Sequence, residues 1–195
     1  MKNFTKSELK IVGIILLVTA LVSLQNFKVS IRRARDAQRK GDARTIYQAL
    51  EAYHADFGFY PLATEDGKIL ACEKEVVDVE GARSIVLEER LRATMDPCEW
   101  GEDSLADFTD PEYPPYLNKL PRDPHWEDGV MYRYDSTTRN FQILAALEGT
   151  DEAEYDPSIE VRGVSCGSRI CNYGRAPGSV PLDKSLQEYE NETIE

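Results

Sequence analysis

Residues 4–57 read FTKSELKIVGIILLVTALVSLQNFKVSIRRARDAQRKGDARTIYQALEAYHADF, and no proline or turn cluster interrupts them. The rest of the chain is arranged about this stretch. It predicts one long helix with three zones: a short polar-apolar start, an apolar barrel from Ile11 to Phe27, and a shaft that is first basic and then amphipathic. At ~1.5 Å of rise per residue, such a helix is roughly 80 Å long. That is too long to fold back inside a globule made from a 195-residue chain. Part of it must lie in something else: a membrane, a filament, or both.

Lys10 and Lys28 bracket seventeen uncharged residues, Ile11–Phe27. That length sits at the low end for a bilayer-spanning helix. A secretory signal peptide is the rival reading. Against it, no small-residue cleavage site follows the run, and the helical pattern continues beyond it. Glu8, one turn before the apolar barrel, is costly if it sits in lipid. It is either solvated at the interface beside Lys10 or paired with a positive group of a neighbouring subunit. Beyond the barrel, Lys28, Arg32, Arg33, Arg35, Arg39, Lys40 and Arg44 form a basic segment relieved by Asp36 and Asp42. Read alone, this is a juxtamembrane collar held by anionic headgroups, and the bias of basic flanks towards the cytoplasm would put the body inside. From there Ile46, Ala49, Leu50, Tyr53 and Phe57 recur at three- and four-residue steps. They form one apolar stripe for a body to pack on. Gly58 stops the helix, and Pro61 prevents its resumption.

Charge divides the chain. Residues 1–44 carry ten Lys and Arg against three Asp and Glu, whereas residues 45–195 carry thirteen against thirty-two. A basic anchor end is joined to a body of net −19, which repels nucleic acid and anionic lipid. Four cysteines, Cys72, Cys98, Cys166 and Cys171, are an even count suited to disulfides outside the cytoplasm. Three connectivities are open to four cysteines. The short Cys166–Cys171 loop favours a local bridge, which leaves Cys72 with Cys98. A four-cysteine zinc site is the competing reading, but it lacks CxxC spacing and a nearby histidine.

The body, residues 58–174, contains an acidic insertion at 62–112. There Leu87, Leu91 and Met95 step by four and predict a short helix over about 84–94, ended by Asp96-Pro97. Val130, Tyr132 and Tyr134 alternate with Met131 and Arg133, residues 135–140 turn, and Phe141, Ile143 and Ala145 face one way on the return. This is an antiparallel hairpin suited to cover the helix stripe. A third strand is expected over 159–164. Residues 175–195, rich in Pro, Gly, Ser and acid, read as a flexible acidic tail. The fold class is α+β: a long N-terminal helix packed against a small antiparallel sheet.

No catalytic constellation or phosphate-binding glycine loop is evident, so the chain is not read as an enzyme. His54 lies on the shaft beside Tyr53, and His125 sits in an acidic loop. The run Glu148–Asp156 has oxygen ligands enough for Ca²⁺, with Asp151, Glu152 and Asp156 as the candidates. It lacks the EF-hand spacing, and a solvated acidic loop is the plainer reading. No other cofactor is expected.

Several of these residues carry a resemblance. Phe4-Thr5-x-x-Glu8-Leu9, the apolar run, Ala34-Arg35-Asp36-Ala37-x-Arg39-Lys40-x-Asp42, Ile46, Ala49-Leu50-Glu51-x-Tyr53 and Gly58-x-Tyr60-Pro61 resemble type IV pilins and type II secretion pseudopilins. Tyr116-Leu-x-x-Leu120-Pro-x-Asp123-Pro124, Tyr132-x-Tyr134 and Ala145-Ala-Leu147-Glu148 are similar to the G-type pseudopilins in particular. The resemblance spans residues 4–61 and, in part, 113–149. It implies a pilin-like fold and a short leader, residues 1–3, removed by a prepilin peptidase after Asn3. Phe4 would then be the first, N-methylated residue of the mature subunit. Glu8 would neutralise the N-terminus of an adjacent subunit during assembly. The implied partners are other pilin copies, the peptidase, a pilus or secretion platform, and the membrane. Before assembly the chain would be a single-pass cell-membrane protein with an extracytoplasmic body; assembled, it would belong to an extracellular filament. The sequence departs from the family at Asn3, where glycine is usual, and at Lys6 and Ser7, where apolar residues are usual. The proline that many pilins carry inside the apolar helix is absent.

Three functions follow: a structural pilus or pseudopilus subunit; an uncleaved single-pass membrane protein whose body binds a partner; or a DNA-uptake pilin contacting nucleic acid through Arg32–Arg44. The −19 body screens that cluster and puts nucleic acid last among the partners.

Overall fold

The computed structural model describes residues 5–73, 95–110 and 112–194, and the architecture is α+β. Helix α1 runs unbroken over Lys6–Phe57, 52 residues. Thr5 caps it: the Glu8 amide donates to Thr5 Oγ1 at 3.4 Å, and the Thr5 amide donates to Glu8 Oε2 at 2.7 Å. This reciprocal box satisfies two of the amides that a helix start leaves unpaired. At the other end Gly58 adopts φ 74°, a conformation that disfavours side chains, and its amide returns to His54 O.

Strand β1 (Leu62–Ala63) pairs antiparallel with β2 (Ile69–Glu73), and β2 pairs antiparallel with β3 (Met95–Pro97). A second antiparallel sheet has the order β4 (Arg133–Ser136), β5 (Phe141–Ala145), β8 (Tyr173–Arg175). Between β5 and β8 lie helix α2 (Pro157–Val161) and the small hairpin of β6 (Ser165–Cys166) with β7 (Arg169–Ile170). Helix α3 (Leu186–Ile194) closes the described chain.

All five residues of β5 are buried because the strand is covered on both faces. Phe141, Ile143 and Ala145 join Ala43, Ile46, Ala49, Leu50 and Tyr53 of α1 in the main core. On the opposite face Leu144 packs with Val130, Ile159 and the Cys166–Cys171 bridge. The period-two alternation thus feeds two cores from one strand. Each large apolar side chain buried here contributes about 1.5–3 kcal/mol. The expected stripe and hairpin are present, except that β4 begins at Arg133 and Val130 instead bridges to Gly167. Both disulfides form, Cys72–Cys98 and Cys166–Cys171.

Three expectations need correction. Residues 157–161 are helical, not part of a strand: the Asp156 side chain accepts the Ser158 amide, and Pro157 fits the first helical position. The third strand of that sheet is β8. Met95, placed in the stepping pattern of an insertion helix, opens β3 together with Asp96 and Pro97, while residues 84–94 lie outside the described residues. The tail is not a free segment over its described length. Gln142 Nε2 donates to Pro181 O and Lys184 O, Leu186 is buried, and Glu190 accepts from Thr137 and Asn140 at 2.7 Å each.

Candidate functional site

Two features of α1 stand out, one in its first half and one at the middle. In the first half, every described side chain from Thr5 to Ile31 is exposed, including Leu9, Ile14, Leu16, Leu17, Leu21 and Phe27. The body begins to touch the helix only at Arg32. The bare half carries the one described helical segment that is long and apolar enough to cross a membrane. A face of this size has no place in water and marks contact with lipid or protein.

Glu8 stands at the start of this half. Its carboxylate also accepts the Thr5 hydroxyl at 2.8 Å. In the single chain, then, Glu8 serves its own helix end. Asn3 and Phe4, the residues of the implied processing site, lie outside the described residues.

The second feature is the seam between the collar and the body. Arg39 is fully buried and donates four hydrogen bonds. Nε and Nη2 grip both oxygens of Asp123 at 2.7 and 2.9 Å, and Nη1 reaches Asp36 and Glu148 at 2.8 Å each. Arg35 takes Glu148 in a second fork at 2.7 and 2.5 Å. Asp36 accepts the amides of Glu148 and Gly149 at 2.9 and 3.0 Å, so it fixes the loop that carries its own partner. Arg32 binds Asp151 at 2.5 Å, and Lys40 binds Glu152 and Glu154 at 2.9 Å each. The Tyr132 hydroxyl donates to Asp42 at 2.6 Å. His125 borders the cluster, with Nδ1 2.8 Å from Asp128 and Nε2 3.3 Å from Glu148. A buried charge is tolerated only when paired and hydrogen-bonded, as here. The Arg35 fork and the Arg39 bond, against the cost of burial, push the Glu148 carboxyl down to about 2.

Four of the seven cations of the collar are thus turned to the body, while Lys28, Arg33 and Arg44 stay exposed. Arg32, Arg35, Arg39 and Lys40 neutralise the acidic loop that follows β5. The same contacts reassign the calcium candidates. Asp151 and Glu152 hold cations of α1, and Asp156 caps α2. Among the described residues, no group of three or more His, Cys, Asp or Glu is placed to hold a metal ion. His54 stacks on Tyr60 at 4.3 Å, a packing contact. Sequence reading missed this seam. The signal was present in the charge asymmetry, since a basic run on the shaft and an acidic run at 148–154 are natural partners.

No protein-family model matches the chain, and neither curated proteins nor solved structures give a match.

Proposed function

We propose that this chain is a structural subunit of an extracytoplasmic pilus or pseudopilus, with a pilin-like fold. The first half of α1 holds it in the membrane before assembly and then forms the contact between copies. One observation carries this reading: a single unbroken helix whose apolar half is bare from Thr5 to Ile31 while its other half is cemented to a disulfide-bonded body. The two bridges suit an oxidising compartment. Four cations of the collar face carboxylates of the folded body; the bias of basic flanks towards the cytoplasm counts Lys and Arg and is little offset by acidic partners, so the outward orientation rests on the bridges and not on the seam. In this reading Phe4 is the mature N-terminus, and its α-amino group takes the place of Thr5 as the partner of a neighbour's Glu8. Other pilin copies, a prepilin peptidase and an assembly platform are the partners.

A second reading has its own support. Asn3, Lys6 and Ser7 depart from the processing pattern, and Glu8 is already engaged by Thr5. These features favour an uncleaved single-pass protein whose body faces outward and binds a partner. A DNA-uptake role has less support, because Arg32, Arg35 and Arg39 hold carboxylates. Co-expression with a prepilin peptidase, followed by N-terminal sequencing, separates the first two. The subunit reading expects Phe4 as the first residue. Retention of Met1 without incorporation into filaments would sink it and leave the anchored protein.

A further inference from the structure

Five large apolar side chains stand exposed on the described body: Tyr113, Trp126, Met131, Val161 and Ile170. Four of them come from three segments that are joined to one another. Trp126 opens the turn Trp126–Asp128 and Met131 follows it, Val161 ends α2, and Ile170 ends β7. Val130 bridges to Gly167, the Met131 amide donates to Cys166 O, and the Ser168 hydroxyl donates to Asp128 O. Ile159 of α2 packs on Val130 and the Cys166–Cys171 bridge. The apolar exposure of the body is thus gathered on one rim, in the layer outside the end of β5. Contiguous exposure of this kind marks contact with lipid or protein.

Contacts fix the height of this rim along α1. Asp128 holds His125 Nδ1 at 2.8 Å, His125 Nε2 lies 3.3 Å from Glu148, and Glu148 is gripped by Arg35. Asp151, on the same loop, takes Arg32, the first residue of α1 that the body touches. A hydrocarbon core of ~30 Å takes about 20 helical residues, and the interfacial layer adds about 5–7 Å on each side. With Lys10 at one edge, a span of that length ends near Ser30, and the interfacial layer reaches the level of Arg32 to Arg35. The rim therefore stands at headgroup height. Its charge also sets it apart. Arg122, Arg162 and Arg169 balance Glu127, Asp128 and Glu160, and Asp123 is taken by Arg39, whereas the body as a whole carries −19. A balanced rim meets no repulsion at a headgroup layer. Arg122 covers one face of the Trp126 ring at 4.0 Å, and the ring is still 46% exposed; indole is enriched at this depth of membrane proteins. We propose that this rim rests on the surface of the membrane that anchors α1, with Trp126, Met131 and Ile170 in the headgroup layer of zwitterionic lipid. The proposal rests on the membrane-anchoring role of α1's first half, which both readings above share. The body is then docked on the bilayer and not merely tethered to it.

The test uses the full-length protein in phosphatidylcholine liposomes, with and without lipid brominated near the headgroup end of its acyl chains, a contact quencher of indole. The chain has two tryptophans, so the difference between wild type and Trp126→Phe isolates Trp126. Its emission should fall about twofold in brominated lipid, as expected for a side chain at the headgroup boundary. Two further helical turns of glutamine inserted between Ser30 and Ile31 leave the seam intact, lift the body by ~11 Å and should abolish the quenching. Flotation with the liposomes reports the anchor separately. Protein that fails to float overturns the anchoring and this proposal with it. Protein that floats with Trp126 unquenched, whether water or a second copy covers the rim, overturns this proposal alone. So does quenching that survives the insertion.

Discussion

The two halves of α1 share one backbone and opposite surroundings. Residues 5–31 present apolar side chains to nothing in the chain, whereas residues 32–57 are fastened to the body by charge and then by packing. Within the fastened half the division repeats. Arg32 to Asp42 is joined through ion pairs, and Ala43 to Tyr53 through apolar contact. A helix that served only its own fold would carry its apolar residues where the body is. Here the most apolar segment is the one the body avoids, and its described side chains are exposed. The ionic seam sits at the boundary. It lies where the bare half meets the fastened half, and it pairs Arg32, Arg35, Arg39 and Lys40 with carboxylates of the body.

Breaking the seam should have the largest effect on the body. Arg39→Ala leaves Asp36, Asp123 and Glu148 facing one another without their shared cation, and should cost about 3–5 kcal/mol in urea unfolding in detergent. Leu50→Ala, on the apolar part of the same half, should cost about 2–5 kcal/mol and define the scale of the packing seam. Opening Cys72–Cys98 by a double serine change releases a separation of 26 residues and should cost about 3.5 kcal/mol; opening Cys166–Cys171, with a separation of 5, should cost about 2.

Acid should loosen the ionic seam selectively. The Glu148 carboxyl is lowered in the folded chain from 4.5 to about 2, chiefly by Arg35 and then by Arg39. Its contribution is complete above pH 4.5 and is lost as pH falls through about 2. The shift corresponds to something on the order of 3 kcal/mol. Glu148→Gln should lower stability at neutral pH and flatten the pH dependence between those limits. A variant that kept the wild-type acid profile would place the titration elsewhere.

The bare half should show the smallest effect on the body. Leu16→Gln should leave its unfolding within about 0.5 kcal/mol while reducing recovery in membranes. If Leu16→Gln unfolded the body as Leu50→Ala does, the division of α1 would be wrong.

What the sequence shows depends on how far apart the partners are. The stripe Ile46–Tyr53 and the Phe141–Ala145 alternation are local periodicities, and both are present. The cysteine pairing followed from one short loop. The seam was not legible in this way because Arg39 and Asp123 are 84 positions apart, and a basic run beside an apolar helix reads equally well as a lipid collar. Two misreadings passed over local signals. Asp156-Pro157 is a helix start. Ser185-x-x-Glu188 is a capping box: Glu188 accepts the Ser185 amide at 2.9 Å and donates its own amide back to Ser185. An acidic, proline-containing tail suggested a loose end, but the backbone of its loop supplies the acceptors that Gln142 and Arg162 need beneath the sheet.

The most direct test of the central claim is photo-crosslinking from the bare half. A photoreactive amino acid replaces Leu16, the chain is expressed with a prepilin peptidase and an assembly platform, and the products are separated by size. A head-to-tail contact between copies propagates without closing. A ladder extending beyond the dimer is expected, and no ladder from the same probe at Val161, which is exposed on the body. Adducts confined to lipid or single chains at Leu16, with the protein present in the membrane, would contradict it.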